Sequence, residues 1–164
     1  MQGTVVQINI SPGGLPKRPI PLGQIVVAGL EGDQHANLHV HGGPRKALLL
    51  VAAEVVDDLK GRGYPLFYGA LGENLTTRGL DVRELRVGER LRAGRAIIEI
   101  TQLRVPCRQL DIYGASLKSE LYDASVQAGD MSSPRWGKGG FYAQVVEAGA
   151  VAPGDIIAPV APLG

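Results

Sequence analysis

The sequence predicts a mainly β fold, a closed or nearly closed β-barrel with short helices covering its openings. Three observations carry that expectation. Short runs of alternating or β-branched apolar residues recur along the chain, enough for seven or eight strands. The 23 glycines and 11 prolines are spread between these runs, so they punctuate many short elements instead of forming a tail. Only two stretches show helical spacing. Many short strands with few helices suit a barrel. With 164 residues the chain has the size of one domain with a proper core, and no boundary is visible within 1–164.

Residues 4–10 alternate, with Val6, Ile8 and Ile10 on one face and Val5, Gln7 and Asn9 on the other. That predicts a half-buried strand, closed by Ser11-Pro12-Gly13-Gly14. The proline-rich stretch 15–22 reads as an irregular surface crossing, and 24–30 as a second strand ending at Glu31-Gly32-Asp33. Residues 46–51 form a buried strand or a helix start. We take a strand, followed by a helix over 53–60 with Val55, Val56 and Leu59 at helical spacing and Gly61 as its stop. Residues 64–70 are aromatic and irregular, and 80–85 form a turn with Asp81 as the candidate cap. A hairpin joins 87–91 to 96–103 across Ala93-Gly94. Its second strand runs towards Pro106-Cys107, where proline disfavours further helix and fixes the backbone. Ser116 is placed to cap a helix in which Leu117, Leu121, Ala124 and Ala128 share a face, ended by Gly129. Residues 130–140 read as a loop, 141–147 and 155–160 as strands, with a turn at Pro153-Gly154.

Charge and cysteine content exclude several function classes. Seventeen basic and sixteen acidic residues give a net charge of +1, without the basic footprint of a nucleic-acid binder. No apolar run has the length of a membrane span. One cysteine makes no internal disulfide and cannot supply a usual iron–sulfur cluster. Met1-Gln2-Gly3-Thr4 shows no basic-then-apolar leader pattern, so the expected location is cytoplasmic.

Four constellations bear chemistry. His35, His39, His41 and Cys107 are residue types that zinc accepts, as in a zinc hydrolase, although no paired-cysteine spacing accompanies them. Exposed loop histidines account for the cluster better than a structural zinc does. Cys107 with a histidine base and Asn74 as orienter has the residue types of a cysteine nucleophile, and Arg104 and Arg108 flank the thiol. Against this stands a structural cysteine in a non-catalytic small-molecule-binding module. Gly42-Gly43 before Arg45 and Lys46, and Gly139-Gly140 after Arg135 and Lys138, are candidate anion nests or two ordinary loops. Gly72-Glu73-Asn74 places an acid and an amide to tune a thiol or hold a polar ligand, or forms a simple edge turn.

In order along the chain, His41-Gly42-Gly43 with Lys46-Ala47, Leu71-Gly72-Glu73-Asn74-Leu75-Thr76, Val87-Gly88-Glu89-Arg90-Leu91, Pro106-Cys107, and Gly139-Gly140-Phe141-Tyr142 with Gly154-Asp155 resemble the MOSC domain. That family is named for the C-terminal domain of molybdenum cofactor sulfurases. The resemblance covers nearly the whole chain and is to the stand-alone bacterial type. It implies a β-barrel with a reactive cysteine, Cys107 here, which carries sulfur as a persulfide or ligates molybdenum in a bound pterin cofactor (molybdopterin). It implies reduction of N-hydroxylated compounds in some members, with electrons or sulfur drawn from a partner protein. His41, Glu73 and Asn74 would then assist Cys107. Gly42, Gly43, Arg45, Lys46, Gly72, Arg108, Lys138 and Gly140 would hold the cofactor. Gln144 stands where family members often carry arginine.

Overall fold

The structure, a computed structural model, describes residues 1–34 and 43–161. Its strands are β1 (Gly3–Ile10), β2 (Arg18–Ile20), β3 (Gly23–Val26), β4 (Gly29–Leu30), β5 (Leu48–Ala52), β6 (Leu75–Arg78), β7 (Arg90–Ala93), β8 (Ala96–Leu103), β9 (Phe141–Glu147), β10 (Gly149–Val151) and β11 (Ile156–Pro159). Three short α-helices, α1 (Ala53–Gly61), α2 (Leu117–Leu121) and α3 (Ala124–Gln127), and 3-10 turns at Pro44–Lys46 and Arg108–Tyr113 complete the described elements. Strands β11-β7-β8-β9-β5-β6-β1 run side by side, and β1 pairs again with β11 to close a seven-strand barrel. Strand β2 adds to the edge of β1, and β10-β3-β4 form a small separate sheet. The β5–β6 pair is parallel, which a tight turn cannot produce, and α1 lies in the crossover between them.

Strand β5 separates two cores. All five of its residues are buried. Leu48 and Leu50 point into the barrel with Val5, Ile8, Leu91, Ile98, Ile100 and Phe141. Leu49 and Val51 face outward, where α1, the 3-10 turn at Arg108–Tyr113 and α2 cover them with Leu59, Leu110, Leu117 and Leu121. Continuous apolar sequence here reflects burial on both faces, which also made strand and helix hard to separate by periodicity.

Several expectations are corrected. A bulge between Val5 and Gln7 shifts the register of β1, so Val5 and Ile8 share the barrel core and simple alternation fails. The proline-rich stretch 15–22 contains β2, and the run 24–30 is a β3–β4 hairpin instead of one strand. The helix expected after Ser116 breaks in two, because Tyr122 is extended and Asp123 starts a new helix by accepting a hydrogen bond from the Val126 N–H at 2.9 Å. Val126 is buried in place of Ala124 and Ala128, which are exposed. Strands β6 and β10 lie where the sequence showed only motif and turn.

Candidate functional site

Strand β8 ends at Leu103, and the chain turns outward through Arg104, Val105 and Pro106 to Cys107, which starts the 3-10 turn at Arg108–Tyr113. The thiol is half-buried and lines a cavity of about 50 Å³. Gly72, Asn74, Lys46 and Arg104 share that cavity, joined by Lys17, Leu49, Gln109 and Tyr142. Three of the lining residues are cations, and among the described residues no aspartate or glutamate lines it.

Arg104 is 3% exposed. Its Nη2 donates to the Leu71 carbonyl at 2.8 Å and its Nη1 to the Gly139 carbonyl at 3.3 Å, whereas the Nε–H has no partner. Carbonyl oxygens satisfy N–H groups without neutralising charge. Burial therefore pulls the guanidinium below its ordinary range, with Tyr142, Cys107 and Glu73 acting in the other direction. Tyr142, on the outward face of β9, has a phenol pushed up by burial and opposed by Arg104. The Lys46 ammonium lies 5.2 Å from the centre of its ring.

Lys17 reaches the same cavity from the 15–22 stretch, its side chain 6% exposed and ion-paired to Asp33. Asp33 also accepts from the Ser11 N–H at 2.9 Å and from the Asn74 side chain at 2.8 Å. Asn74 is spent on structure: its Oδ1 accepts from the Leu49 N–H at 3.0 Å, and its Nδ2 also donates to the Asn9 carbonyl at 3.2 Å. It thus ties β5, β1 and the Lys17–Asp33 pair together behind the cavity wall. Its amide bonds the backbone of distant strands, unlike the self-bonded edge turn weighed from sequence.

Glu73 is not among the residues that line the cavity and is completely buried. Burial pushes its carboxyl up. The backbone N–H groups of Gly69 and Glu73, the Thr76 hydroxyl and Arg104 oppose that rise. The Thr76 hydroxyl donates to Oε2 at 3.1 Å, and Oε1 has no partner.

The remaining expected residues divide. His35, His39, His41 and Gly42 lie outside the described residues. Among the described residues no three His, Cys, Asp or Glu side chains group as metal ligands. Gly43, Arg45 and Arg108 are exposed and do not line the cavity; Arg108 points outward from the first position of its 3-10 turn. Lys138 lines a separate cavity of about 410 Å³ between α1 and the 79–83 turn. Gly140 serves packing: at φ +95° a Cβ there would come within 2.5 Å of the Leu50 carbonyl oxygen. Gly139 places its carbonyl on Arg104. The basic glycine loop therefore gives Arg104 a close-packed support. Gln144 bonds Glu99 across β9 and β8 at 3.0 Å and lies outside the cavity lining. Sequence reasoning missed Lys17, Asp33, Gln109 and Tyr142 as contributors. Only Tyr142 carried a signal, as an aromatic residue beside the glycine pair.

The family model described as "MOSC domain" matches residues 37–158. The uncharacterized protein YflK of Bacillus subtilis (strain 168) is 32% identical over 145 residues, covering 86% of this chain and 60% of YflK. The protein YiiM of Escherichia coli (strain K12) is 38% identical over 94 residues, covering 52% of this chain and 40% of YiiM. The chain thus spans 40–60% of the length of these relatives. The crystal structure of YiiM from Geobacillus stearothermophilus shares the fold with a TM-score of 0.72 and 26% identity, covering 97% of this chain and 75% of that one. This chain belongs to the MOSC domain family.

Proposed function

We propose that this MOSC-domain chain is a molybdenum-cofactor-linked protein whose reacting atom is the Cys107 sulfur, as metal ligand or as sulfur carrier. One observation carries the reading: Cys107 shares its cavity with Lys17, Lys46 and the buried Arg104, whose Nε–H has no partner. Thiolate is a soft ligand suited to molybdenum and is also the form that holds a persulfide. Cations around it suit the anionic groups that accompany either role.

The residues fit the metal end of such a cofactor. Cys107 would hold the metal, while Arg104 and Lys46 would face its negative charge. The Lys17–Asp33–Asn74 network would keep the wall in place. A cavity of about 50 Å³ takes a few heavy atoms and no fused ring system, so a pterin would lie across the mouth. When bound, the cofactor would supply two-electron chemistry of the kind that reduces N-hydroxylated small molecules, with a partner protein as electron source. The small volume favours the second role, since a persulfide adds one atom to Cys107 and a sulfur-donor protein would load it.

Native mass spectrometry and metal analysis of protein made in a cofactor-competent host test the reading. Molybdenum with a pterin at one per chain supports the ligand role, and the added mass of one sulfur supports the carrier role. Retention of both in Cys107→Ser would sink the proposal.

A further inference from the structure

We propose that the cavity beside Cys107 accepts thiosulfate, a small sulfur oxyanion, and that Cys107 takes its outer sulfur. This rests on the sulfur-carrier reading above and supplies its donor.

The wall chemistry selects a small anion. Of its cations, Lys17 is matched by Asp33, whereas Arg104 has two carbonyl partners and no carboxylate within ion-pair distance among the described residues. Glu73, also completely buried, makes no ion pair with Arg104 and leaves its own Oε1 without a partner. A guanidinium 3% exposed with an unpaired N–H is unfavourable until an acceptor reaches it. An oxyanion does both jobs, since its oxygens accept hydrogen bonds and its charge balances the cations. Gln109 adds a neutral amide to the lining.

Size narrows the choice. At about 10–15 Å³ for each water-sized group, about 50 Å³ holds a handful of heavy atoms. Thiosulfate is a compact tetrahedral ion on that scale. It has sulfonate oxygens for the cations and one outer sulfur for the thiol.

The step balances without an outside oxidant. The Cys107 thiolate attacks the outer sulfur and forms a new S–S bond. The old S–S bond to the sulfonate sulfur breaks, and its electron pair leaves with sulfite. The products are Cys107 persulfide, still anionic, and sulfite. A nucleophilic acceptor then removes the outer sulfur and restores the thiolate.

The test uses the full chain with thiosulfate as donor and cyanide as acceptor. Released sulfite, thiocyanate formation and the mass of the Cys107 peptide are followed. The expected result is one sulfite per chain in a single turnover, a persulfide on Cys107, and no reaction in Cys107→Ser. Lys46→Met should raise the KM for thiosulfate about tenfold to a hundredfold, with a smaller change in kcat. Sulfate and sulfite should protect Cys107 of the unaltered chain from iodoacetamide, which needs no variant to fold. Absence of protection together with no sulfite release overturns the proposal. If polysulfide still loads Cys107 in that case, the carrier reading survives; if nothing loads it, that reading falls as well.

Discussion

Leu50 and Leu49 are neighbours on β5 and equally well buried, yet they face different environments. Leu50 looks into the barrel core, packed in one apolar cluster with Val5, Leu91, Ile98 and Phe141. Leu49 looks into an outer layer that also holds Arg104, Glu73, Tyr142 and the Lys17–Asp33 pair. The interior is governed by transfer of apolar area and by packing. The outer layer carries charge out of water, which is unfavourable unless partners are well placed. The two cavities repeat the lesson at smaller scale. The larger one, about 410 Å³, is lined by Glu54, Asp58 and Asp81 as well as Arg83 and Lys138. The smaller one has the thiol and, among the described residues, cations without carboxylates, so wall chemistry and not volume marks the candidate site.

The comparison can be broken from the charged side first. Asp33→Ala strips the counter-ion from the 6%-exposed Lys17 and releases Asn74 and the Ser11 N–H. It should cost about 3–5 kcal/mol in urea unfolding and also alter Cys107 labelling. A loss below about 1 kcal/mol would mean that the outer layer does not depend on this pair. On the hydrocarbon side, Leu91→Ala empties part of the barrel on β7, outside the Cys107 cavity lining. A loss of about 2–5 kcal/mol is expected, with the native labelling rate of Cys107 unchanged. A slowed or accelerated rate would show the two layers to be coupled.

Glu73→Gln probes the buried carboxyl by pH. Because burial raises its folded value above the ordinary 4.5, the folded state binds the extra proton, and stability declines as pH rises from about that value through the raised one. The amide cannot ionise, so the variant should gain on the parent chain over that interval and match it most closely below pH 4.5. Thermal unfolding at a series of pH values reads this directly, and a gain at acid pH alone would contradict it.

The smallest effect is expected at the surface. Arg78 hydrogen-bonds Asp57 at 2.8 Å and holds its carboxyl below the ordinary 3.8, helped by the Tyr68 hydroxyl against slight burial. That contribution is present above pH 3.8 and is lost as pH falls through the lowered value. Both side chains are 46% exposed, so Asp57→Asn should change stability at neutral pH by less than about 1 kcal/mol.

Much of the barrel could be read beforehand, because residues 96–103 and 141–147 declare their strands by local pattern, although the hairpin turn expected at Ala93-Gly94 falls at Gly94-Arg95, with Ala93 still paired to Ala96. The bulge in β1 could not, since an inserted residue appears only against a partner strand. Likewise the helix break at Tyr122 was masked by a face pattern that ran straight through it. At the site, Cys107 stood out by its uniqueness and its proline. Lys17 and Asp33 did not, because Lys17 comes to the cavity, and Asp33 to Lys17 and Asn74, only through tertiary contact. Arg104 was noticed as a neighbour in sequence. Its burial and its unmatched N–H are properties of the folded layer and have no local signature.

Closure of the barrel through β1 has a consequence for what counts as the folding unit. The matched span 37–158 omits β1, although β1 pairs with β6, β2 and β11. A fragment cut to that span would leave β6 and β11 each with a bare edge, and two such edges are templates for strand exchange between molecules. A boundary drawn by likeness therefore falls inside the ring, and a fragment made to it should precipitate or swap strands where the longer chain stays monodisperse.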